Sequence, residues 1–398
     1  MGFLEAHAAE LIEAATGTEV ARPPRQLQLQ HRPGAGVSAL YELPAAAGFI
    51  GMTTETMPAT EGTVRVEIPA DAAPSSSGKP VTGPLVVSMW RHPHDPKLPG
   101  LRSATVEQEV WRIWGRDDTL RRLETVTYRP LRRAVVRAEF ATAAPVVHTR
   151  RLYLKVMRAG LAEGLHRRHR VLHDAGLPVP RPVGEPVDDV VALAEVTGDP
   201  MSKLILQDGA TSLAPGDLLE LLDRLPEEAL GFPRRPAWSD RLGRYASAAA
   251  VALPEHGERI GRLERHLARL LGSTDRGPVV PTHGDFYEAN LLMEGNRISA
   301  LLDVDGVGPG HRVDDLACLL GHLGVLPAVD IRYTRITETL DHFGGAFAAH
   351  VDPGALWARS AAVAVSLVAG ARTAGASGWN RQALARLVAA EELADRAN

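Results

Sequence analysis

The sequence from His283 to Asp303 reads HGDFYEANLLMEGNRISALLD, which predicts a loop, a strand, a tight turn and a second strand. Glycine in the segment Glu294-Gly295-Asn296 supplies the backbone freedom that a turn between the two apolar runs requires. In an antiparallel hairpin, the residue that enters the first strand and the residue that leaves the second lie at the same open end. The pattern therefore predicts that Asn290 and Asp303 lie close together.

The polar residues around this hairpin suit magnesium-assisted phosphoryl transfer. Mg²⁺ takes hard oxygen ligands, few of them from protein, so Asn290 and Asp303 form a fitting pair. Asp285, in the loop before Asn290, is a candidate for orienting a hydroxyl group and accepting its proton. Positioning and charge neutralisation dominate phosphoryl transfer, so few side chains suffice. Taken singly, each of these residues is as typical of a loop or of a strand end.

The order of these residues resembles the signature of aminoglycoside phosphotransferases and the related choline and sugar kinases, over a region from about Leu123 to the C-terminus. The matching residues are His283-Gly284-Asp285, Asn290, Leu302-Asp303 and Asp314-Asp315-Leu316-Ala317. The resemblance implies an α+β, two-lobed, protein-kinase-like fold with a strand-rich N-terminal lobe and a mainly helical C-terminal lobe.

The resemblance also implies the cofactors and the roles of the site residues. ATP and Mg²⁺ are the implied cofactors. Asp285 would be the catalytic base, and Asn290 and Asp303 would be the metal ligands. His283 and Asp315 would support the catalytic loop.

On the nucleotide side, the family uses a strand lysine of the N-terminal lobe to hold the phosphates. Lys155, in the apolar stretch 151–156, matches that place, and an exposed strand lysine is the alternative. The resemblance puts Glu195 and Val196 in the segment that connects the lobes, where backbone groups would receive the adenine.

The sequence departs from the family pattern in two places. The family pairs the strand lysine with a glutamate on the next helix, but residues 165–172 contain no acid, which leaves Glu163 or His169 as candidate neighbours. The turn 129–133, at the place of a phosphate-binding loop, lacks glycine. We expect its arginines at a solvated hairpin tip.

Composition and periodicity divide the chain into three parts. We predict an N-terminal cap-like subdomain over residues 1–110, a kinase N-lobe over 111–197 and a helical C-lobe with the catalytic loop over 198–398. Residues 70–83 are rich in proline, serine and glycine and are typical of a linker. Residues 104–114 have the spacing of one helix.

The remaining elements follow from alternation, helical spacing and turn residues. We predict strands within 26–43, 84–90, 124–140, 152–157 and 190–196. We predict helices over 161–175, 216–225, 238–253, 258–271, 312–323, 334–343, 354–371 and 381–396.

The composition disfavours several partners. A net charge of −4 gives no basic field for nucleic acid. The longest apolar stretch, 360–371, is shorter than the roughly twenty residues of a membrane-spanning helix and predicts a buried helix. The single cysteine, Cys318, forms no disulfide within the chain and is expected in the core, so we expect a cytoplasmic protein. The oligomeric state does not follow from the sequence.

The predicted reaction is transfer of the γ-phosphate of ATP to a hydroxyl group of a small molecule. An antibiotic, a sugar or an amino sugar is the predicted acceptor, and a small amino alcohol stays open. The long N-terminal region, which resembles in position the cap of some bacterial sugar kinases, favours a sugar-containing acceptor slightly. Acidic residues of the C-terminal half would suit a polycationic acceptor, but they are as typical of solvated helix faces. These residues are Glu288, Asp305, Asp314, Glu391, Glu392 and Asp395.

Two other classes of function stay open. One is a non-catalytic nucleotide-binding scaffold of the same fold, which the retention of Asp285, Asn290 and Asp303 disfavours. The other is a metal-dependent hydrolase, which needs a richer ligand cluster. The histidines show no convincing ligand spacing, and His166 and His169 are more typical of a partly exposed helix face.

Overall fold

The computed structural model describes residues 4, 6–20, 23–32, 36–43, 48–57, 60, 62–68, 85–142, 148–371 and 378–397. These residues form two compact units. The first contains the described residues up to His166 together with Pro182–Glu195, and the second contains Arg167–Arg181 and the described chain from Val196 onward. From Val196 onward, the described residues belong to the second unit.

The first unit begins with helix α1 (Ala8–Thr16) and an antiparallel five-stranded sheet in the order β1-β2-β3-β5-β4. The strands are β1 (Arg25–Arg32), β2 (Gly36–Leu43), β3 (Gly48–Thr53), β4 (Thr63–Ile68) and β5 (Leu85–Arg91). Apolar side chains of this sheet pack against the apolar residues of α1 in a core of their own. A sheet is stabilised when one of its faces is buried, and α1 covers one face of this sheet.

A second antiparallel sheet of the first unit has the order β6-β7-β8-β9. Its strands are β6 (Thr119–Arg129), β7 (Arg133–Ala141), β8 (Thr149–Val156) and β9 (Val190–Ala194). In β7, buried and half-buried residues alternate, as a strand with one face in the core requires. Helix α4 (Ala162–Asp174) follows β8, as predicted.

The segment before β6 differs from the single helix that we predict over 104–114. It consists of α2 (Leu101–Thr105), α3 (Glu107–Val110) and one turn of π-helix, Trp111–Gly115. The break falls at Val106, whose backbone is extended with φ −93° and ψ 117°. The hydroxyl of Thr105 donates to the Leu101 carbonyl, 2.6 Å away. Such a local bond and two consecutive β-branched residues disfavour continuation of the helix.

The second unit is mainly helical. Its helices are α5 (Met201–Asp208), α6 (Pro215–Asp223), α7 (Leu242–Ala252), α8 (Gly257–Ser273), α9 (Arg312–Val329), α10 (Ile336–Phe347), α11 (Pro353–Val368) and α12 (Trp379–Asp395). Helices α9 and α11 are buried on nearly all sides and form the centre of this unit. In the described part of the chain, the segment Pro353–Ala371 is long and apolar enough to cross a membrane, but 72% of it is buried. The prediction of a buried helix here is confirmed.

Short strands of the second unit carry the polar loop residues. Strands β10 (Asp199–Pro200), β12 (Leu291–Glu294) and β13 (Arg297–Leu301) form one small sheet. Strands β11 (Val279–Thr282) and β14 (Gly308–His311) form an antiparallel ribbon. Strand β11 ends just before residues 283–305, β12 and β13 lie within this range, and β14 begins just after it.

The sequence does not predict every element. Helices α1 and α5 and strands β3 and β4 lack a prediction, because each is short and its apolar pattern fits several structures. The predicted linker 70–83 lies outside the described residues. The sequence-based division at residue 110 stays a prediction, although the two sheets of the first unit have separate cores.

Candidate active site

The hairpin of β12 and β13 forms as the sequence predicts. Leu291 pairs with Leu301, and the Leu302 amide donates to the Asn290 carbonyl at 2.8 Å. Because Asn290 immediately precedes the first strand and Asp303 follows the second, the two residues flank the open end of the hairpin. The left-handed backbone of Asp303, with φ 55°, ends the strand there.

Asn290 is oriented by the loop that carries Asp285. Its side-chain amide nitrogen Nδ2 donates to the Asp285 carbonyl at 2.9 Å, and the residue is buried. This bond fixes which end of the amide group points away from the loop, and leaves Oδ1 as the available oxygen. Asp303 acts electrostatically on Asp285 and raises the pKa of its carboxyl group.

His283 and Asp315 hold the backbone of the loop. Both carboxylate oxygens of Asp315 accept from backbone amides, that of His283 at 2.7 Å and that of Gly284 at 2.8 Å. Nε2 of His283 donates to the Leu302 carbonyl at 2.9 Å. Burial raises the pKa of Asp315, while His283 and the two amide donors lower it. The loop is thus tied to α9 on one side and to the end of β13 on the other.

Asp285 has a more complex environment. Burial is the largest influence and raises the pKa of its carboxyl group, whereas Arg235 and His283 lower it. The indole Nε1 of Trp238 donates to Oδ1 of Asp285 at 3.3 Å. A half-buried carboxylate with a raised pKa in a polar loop is a suitable proton acceptor near neutral pH.

Sequence reasoning missed Trp238, whose indole binds Asp285, and Arg235, whose charge lowers the pKa of Asp285. They lie on the segment between Phe232 and α7, far before the loop in sequence. Tyr245 lies beside the Trp238 ring, with the ring centroids 5.6 Å apart, and Arg241 covers both rings. No local sequence pattern predicts this proximity, because only the tertiary structure brings the segment after Phe232 against the loop that carries Asp285.

Glu288 is a buried acid between Asp285 and Asn290. Burial raises its pKa to about 7, and its Oε2 has no hydrogen-bond partner in the described structure. The neighbouring Tyr287 stacks on His322, with ring centroids 4.1 Å apart. Burial lowers the pKa of His322 to about 3, so this ring is neutral. Glu288 is therefore not a solvated acid.

The nucleotide-side candidates lie at β8 and after β9. Lys155 is buried in β8, between Val135 of β7 and Val191 of β9. It is thus not an exposed strand lysine. The Glu195 amide donates to the Arg151 carbonyl at 3.1 Å, and its carboxylate pairs with the Arg151 guanidinium.

The two candidate neighbours of Lys155 have other contacts. Glu163 is exposed on α4, and its carboxylate lies close to His166 and Glu185. Nδ1 of His169 donates to the Pro180 carbonyl at 2.9 Å. The expectation of a partly exposed face for His166 and His169 is wrong, because both rings are buried. The choice between Glu163 and His169 stays a prediction.

The turn between β6 and β7 agrees with the expected solvated tip only at Arg129 and Arg132, which are exposed. Pro130 and Leu131, in the same turn, are buried. Leu131 packs with Met57 and Trp90, and its amide donates to Asp95 at 2.8 Å. The N-terminal sheet therefore covers this turn.

Several of the acids proposed for a cationic acceptor already have partners. Asp314 pairs with Arg276 at 2.7 Å, and Glu391 pairs with Arg259. Cys318 is buried in α9, and burial raises the pKa of its thiol, so the prediction of a core cysteine is confirmed.

Comparison with known proteins adds the family. A model of the phosphotransferase enzyme family (APH) matches residues 139–391, more than half of the chain. A search of curated proteins returned no match.

Solved structures that resemble this chain include a thermostable mutant of aminoglycoside phosphotransferase APH(4)-Ia without ligand, at 14% identity and a TM-score of 0.50. The match covers 73% of this chain and 98% of the other. A further mutant of that protein, in a ternary complex with ADP and hygromycin B, matches at 13% identity with the same coverage and TM-score. A choline/ethanolamine kinase family protein from Mesorhizobium loti has 14% identity and a TM-score of 0.47, over 73% of this chain and 96% of the other.

At such identities the structural likeness establishes the fold, and the family match establishes the class of enzyme. The expected α+β, two-lobed, protein-kinase-like fold is confirmed. The chain belongs to the phosphotransferase enzyme family and is a small-molecule kinase.

Proposed function

We propose that this kinase transfers the γ-phosphate of ATP to a hydroxyl group of a small molecule, with Asp285 as the base. The observation that carries the proposal is the meeting of Asn290 and Asp303 at the open end of one hairpin, with Asp285 bound through its backbone to Asn290. One amide and two carboxyl side chains then lie on the chain that flanks this end of the hairpin.

The proposed chemistry balances as follows. The acceptor oxygen attacks the γ-phosphorus while its proton passes to the carboxylate of Asp285. The bond between the γ-phosphorus and the bridging oxygen of the β-phosphate breaks, and ADP leaves with that electron pair. The raised pKa of Asp285 favours receipt of the proton, and the Trp238 indole orients the carboxylate.

The donor set at the hairpin fits Mg²⁺. An amide oxygen of fixed orientation and a carboxylate are hard ligands, and two protein ligands leave room for water and phosphate oxygens. Asn290 and Asp303 would hold the ion, which supplies charge neutralisation for the phosphates when bound. His283 and Asp315 position these ligands through the loop backbone.

For the nucleotide we propose Lys155 as the phosphate-binding cation and the backbone at Glu195 and Val196 as the adenine contact. Lys155 is buried in β8, the place that the resemblance gives to the phosphate-binding lysine, which supports this role. The APH(4)-Ia complexes with ADP or AMP-PNP support a nucleotide as the phosphate donor.

The acceptor that we propose is a hydroxyl-bearing antibiotic, sugar or amino sugar. Hygromycin B in the APH(4)-Ia complexes supports a sugar-containing compound. The ion pairs of Asp314 and Glu391 leave these carboxylates neutralised, so they give no support to a polycationic acceptor.

The experiment is phosphate transfer from labelled ATP with Mg²⁺ to a panel of antibiotics, hexoses and amino sugars. Asp285→Asn is the test variant, and Asp217→Asn, an exposed aspartate at the start of α6, is the matched control. We expect a labelled acceptor with the wild type and the control, and a rate about a thousandfold lower with Asp285→Asn. Equal labelling by the wild type and Asp285→Asn would refute the role of Asp285.

A further inference from the structure

The segment from Gly284 to Asn296, which carries Asp285 and Asn290, contains several acidic side chains but no positively charged one. The next basic residue, Arg297, lies at the turn end of the hairpin, opposite Glu294. His283 donates to the Leu302 carbonyl and so is oriented toward the backbone. Phosphoryl transfer develops negative charge on equatorial oxygens, which fixed cations stabilise.

Arg235 reaches this acidic site from a distant segment. It lies between two prolines, Pro233 and Pro236, which restrict the backbone. The Pro233 carbonyl lies 3.1 Å from the position that a Cβ on Gly308 would take, so the segment packs on the chain just after the metal-ligand candidates.

The guanidinium of Arg235 lies over Gly306. Its Nη1 is 3.0 Å from the position that a Cβ on Gly306 would take, so the side chain packs closely on this glycine. Gly306 follows Asp303 closely in sequence, and Arg235 is the largest cationic influence on Asp285. The side chain is exposed and so accessible to a substrate.

Two other arginines of this unit have a carboxylate nearby. Arg276 pairs with Asp240 and Asp314. Arg359 lies near Asp314 and donates to Ser239. Within the described residues, neither Arg235 nor the adjacent Arg234 has a carboxylate at ion-pair distance, and the charge of Arg235 lowers the pKa of Asp285.

We propose that Arg235 is a catalytic residue whose guanidinium contacts the phosphoryl group during its transfer. This inference rests on the proposed function. In the transfer step the γ-phosphorus gains the acceptor oxygen and loses the bridging oxygen to ADP, while the acceptor proton moves to Asp285. Arg235 donates hydrogen bonds to the equatorial oxygens throughout and exchanges no proton, because a guanidinium stays protonated.

Arg234 provides a matched control for this proposal. It occupies the same Pro-Arg-Arg-Pro segment and lines, with Arg235, the small cavity beside Trp238, Gly284 and Asp315. Its charge lowers the pKa of Asp240, whereas that of Arg235 lowers the pKa of Asp285. Replacement of either arginine removes one exposed positive charge from the same place in the chain.

The test measures thermal stabilisation of the whole chain by two nucleotide probes in Mg²⁺. AMP-PNP mimics the ground state, and ADP with aluminium fluoride mimics the planar phosphoryl group of the transition state. For Arg235→Ala we expect affinity for ADP–aluminium fluoride to fall by at least about tenfold, with a change of less than about threefold for AMP-PNP. Arg234→Ala should retain both affinities, and Arg235→Lys should lie between.

The turnover number and its pH dependence distinguish direct contact of Arg235 with the phosphoryl group from an effect of Arg235 on the pKa of Asp285. If Arg235 contacts the phosphoryl group, the plateau of kcat falls by about a hundredfold in Arg235→Ala. If the plateau is unchanged and only the acidic limb moves, Arg235 acts through Asp285 and the proposal is overturned. Unchanged affinity for ADP–aluminium fluoride overturns it as well. A wild-type protein that neither nucleotide stabilises would instead refute the proposed function, and the role of Arg235 with it.

Discussion

Glu288 shows how burial sets the charge of a single residue. Its pKa is about 7 in the folded chain, against an ordinary value of 4.5. Between these pH values the folded state keeps a proton that the unfolded state releases, so the free energy of unfolding decreases as the pH rises from 4.5 to 7. The loss amounts to about 3 kcal/mol.

Glu288→Gln should therefore be more stable than the wild type at pH 8, by about 3 kcal/mol, and nearly equal to it at pH 4.5. Urea unfolding at both pH values measures the difference. Glu258→Gln, an exposed residue of α8, is the control and should follow the wild type. The same pH dependence in the wild type and in Glu288→Gln would show that Glu288 ionises normally.

Asp315 supports two backbone amides at once. Asp315→Ala would leave the amides of His283 and Gly284 buried without their acceptor. Each such group costs about 1–3 kcal/mol, so we expect the free energy of unfolding to drop by about 3 kcal/mol or more. Denaturant titration measures this drop. A loss below about 1 kcal/mol would mean that water replaces the carboxylate.

At the level of single residues, the sequence predicts those candidate site residues that lie within one local stretch. Asp285, Asn290 and Asp303 stand out because a turn glycine and two apolar runs fix their relative positions. Trp238 and Arg235 do not, since only tertiary packing brings them to Asp285.

The loop from His283 to Asn290 depends on one glycine. Gly284 has φ +78°, and a Cβ there would lie 2.7 Å from the Gly306 carbonyl oxygen. Gly284→Ala therefore adds a backbone collision to the strain of a left-handed residue. Gly295, in the turn of the hairpin, has φ +62° and open space around it.

We expect Gly295→Ala to cost about 1 kcal/mol of stability through strain alone. Gly284→Ala should cost about 2 kcal/mol more and lower phosphate transfer, because the loop must shift. Thermal unfolding and kcat of both variants check this. Equal losses in the two variants would show that the contact with Gly306 relaxes freely.

Elements with a regular spacing of apolar residues or with a turn residue can be predicted from the sequence. The helix that we predict over 104–114 shows where such prediction fails. Its apolar spacing is helical, yet an extended residue at Val106 divides it. Helical spacing alone does not reveal such a break, because local side-chain bonds and packing decide it.

In the first unit, one tyrosine joins the two sheets. The Trp90 indole of β5 donates to the Tyr128 hydroxyl at 3.0 Å, and this hydroxyl donates to Asp95 at 2.8 Å. Burial raises the pKa of Tyr128 far above its usual value. Asp95 also accepts from the amide of Leu131 in the β6–β7 turn.

Tyr128→Phe removes the hydroxyl and leaves the Trp90 indole without its acceptor. We expect a loss of about 2 kcal/mol in the free energy of unfolding, measured by urea titration. Tyr153→Phe, at a half-buried position of β8, should cost less than about 1 kcal/mol. Similar small losses in both would show that the network does not join the sheets.

At the scale of the whole chain, the family and the fold follow from the order of motifs, whereas the role of the N-terminal region does not. We propose residues 1–110 as a cap-like subdomain, and the cover that Trp90 and Asp95 provide for the β6–β7 turn supports this. The contacts of Trp90 and Asp95 with this turn could not be predicted from the sequence, because no residue pattern in the turn indicates which segment packs against it.

In the proposed magnesium-dependent ATP site, Asp303 and Asp285 have separate roles. Calorimetric titration of ATP, with Mg²⁺ and with EDTA, into the wild type, Asp303→Ala and Asp285→Asn tests these roles without knowledge of the acceptor. We predict that Mg²⁺ tightens ATP binding by at least about tenfold in the wild type and in Asp285→Asn, but not in Asp303→Ala. ATP affinity that is independent of Mg²⁺ in the wild type, or Mg²⁺ dependence retained in Asp303→Ala, would contradict the account.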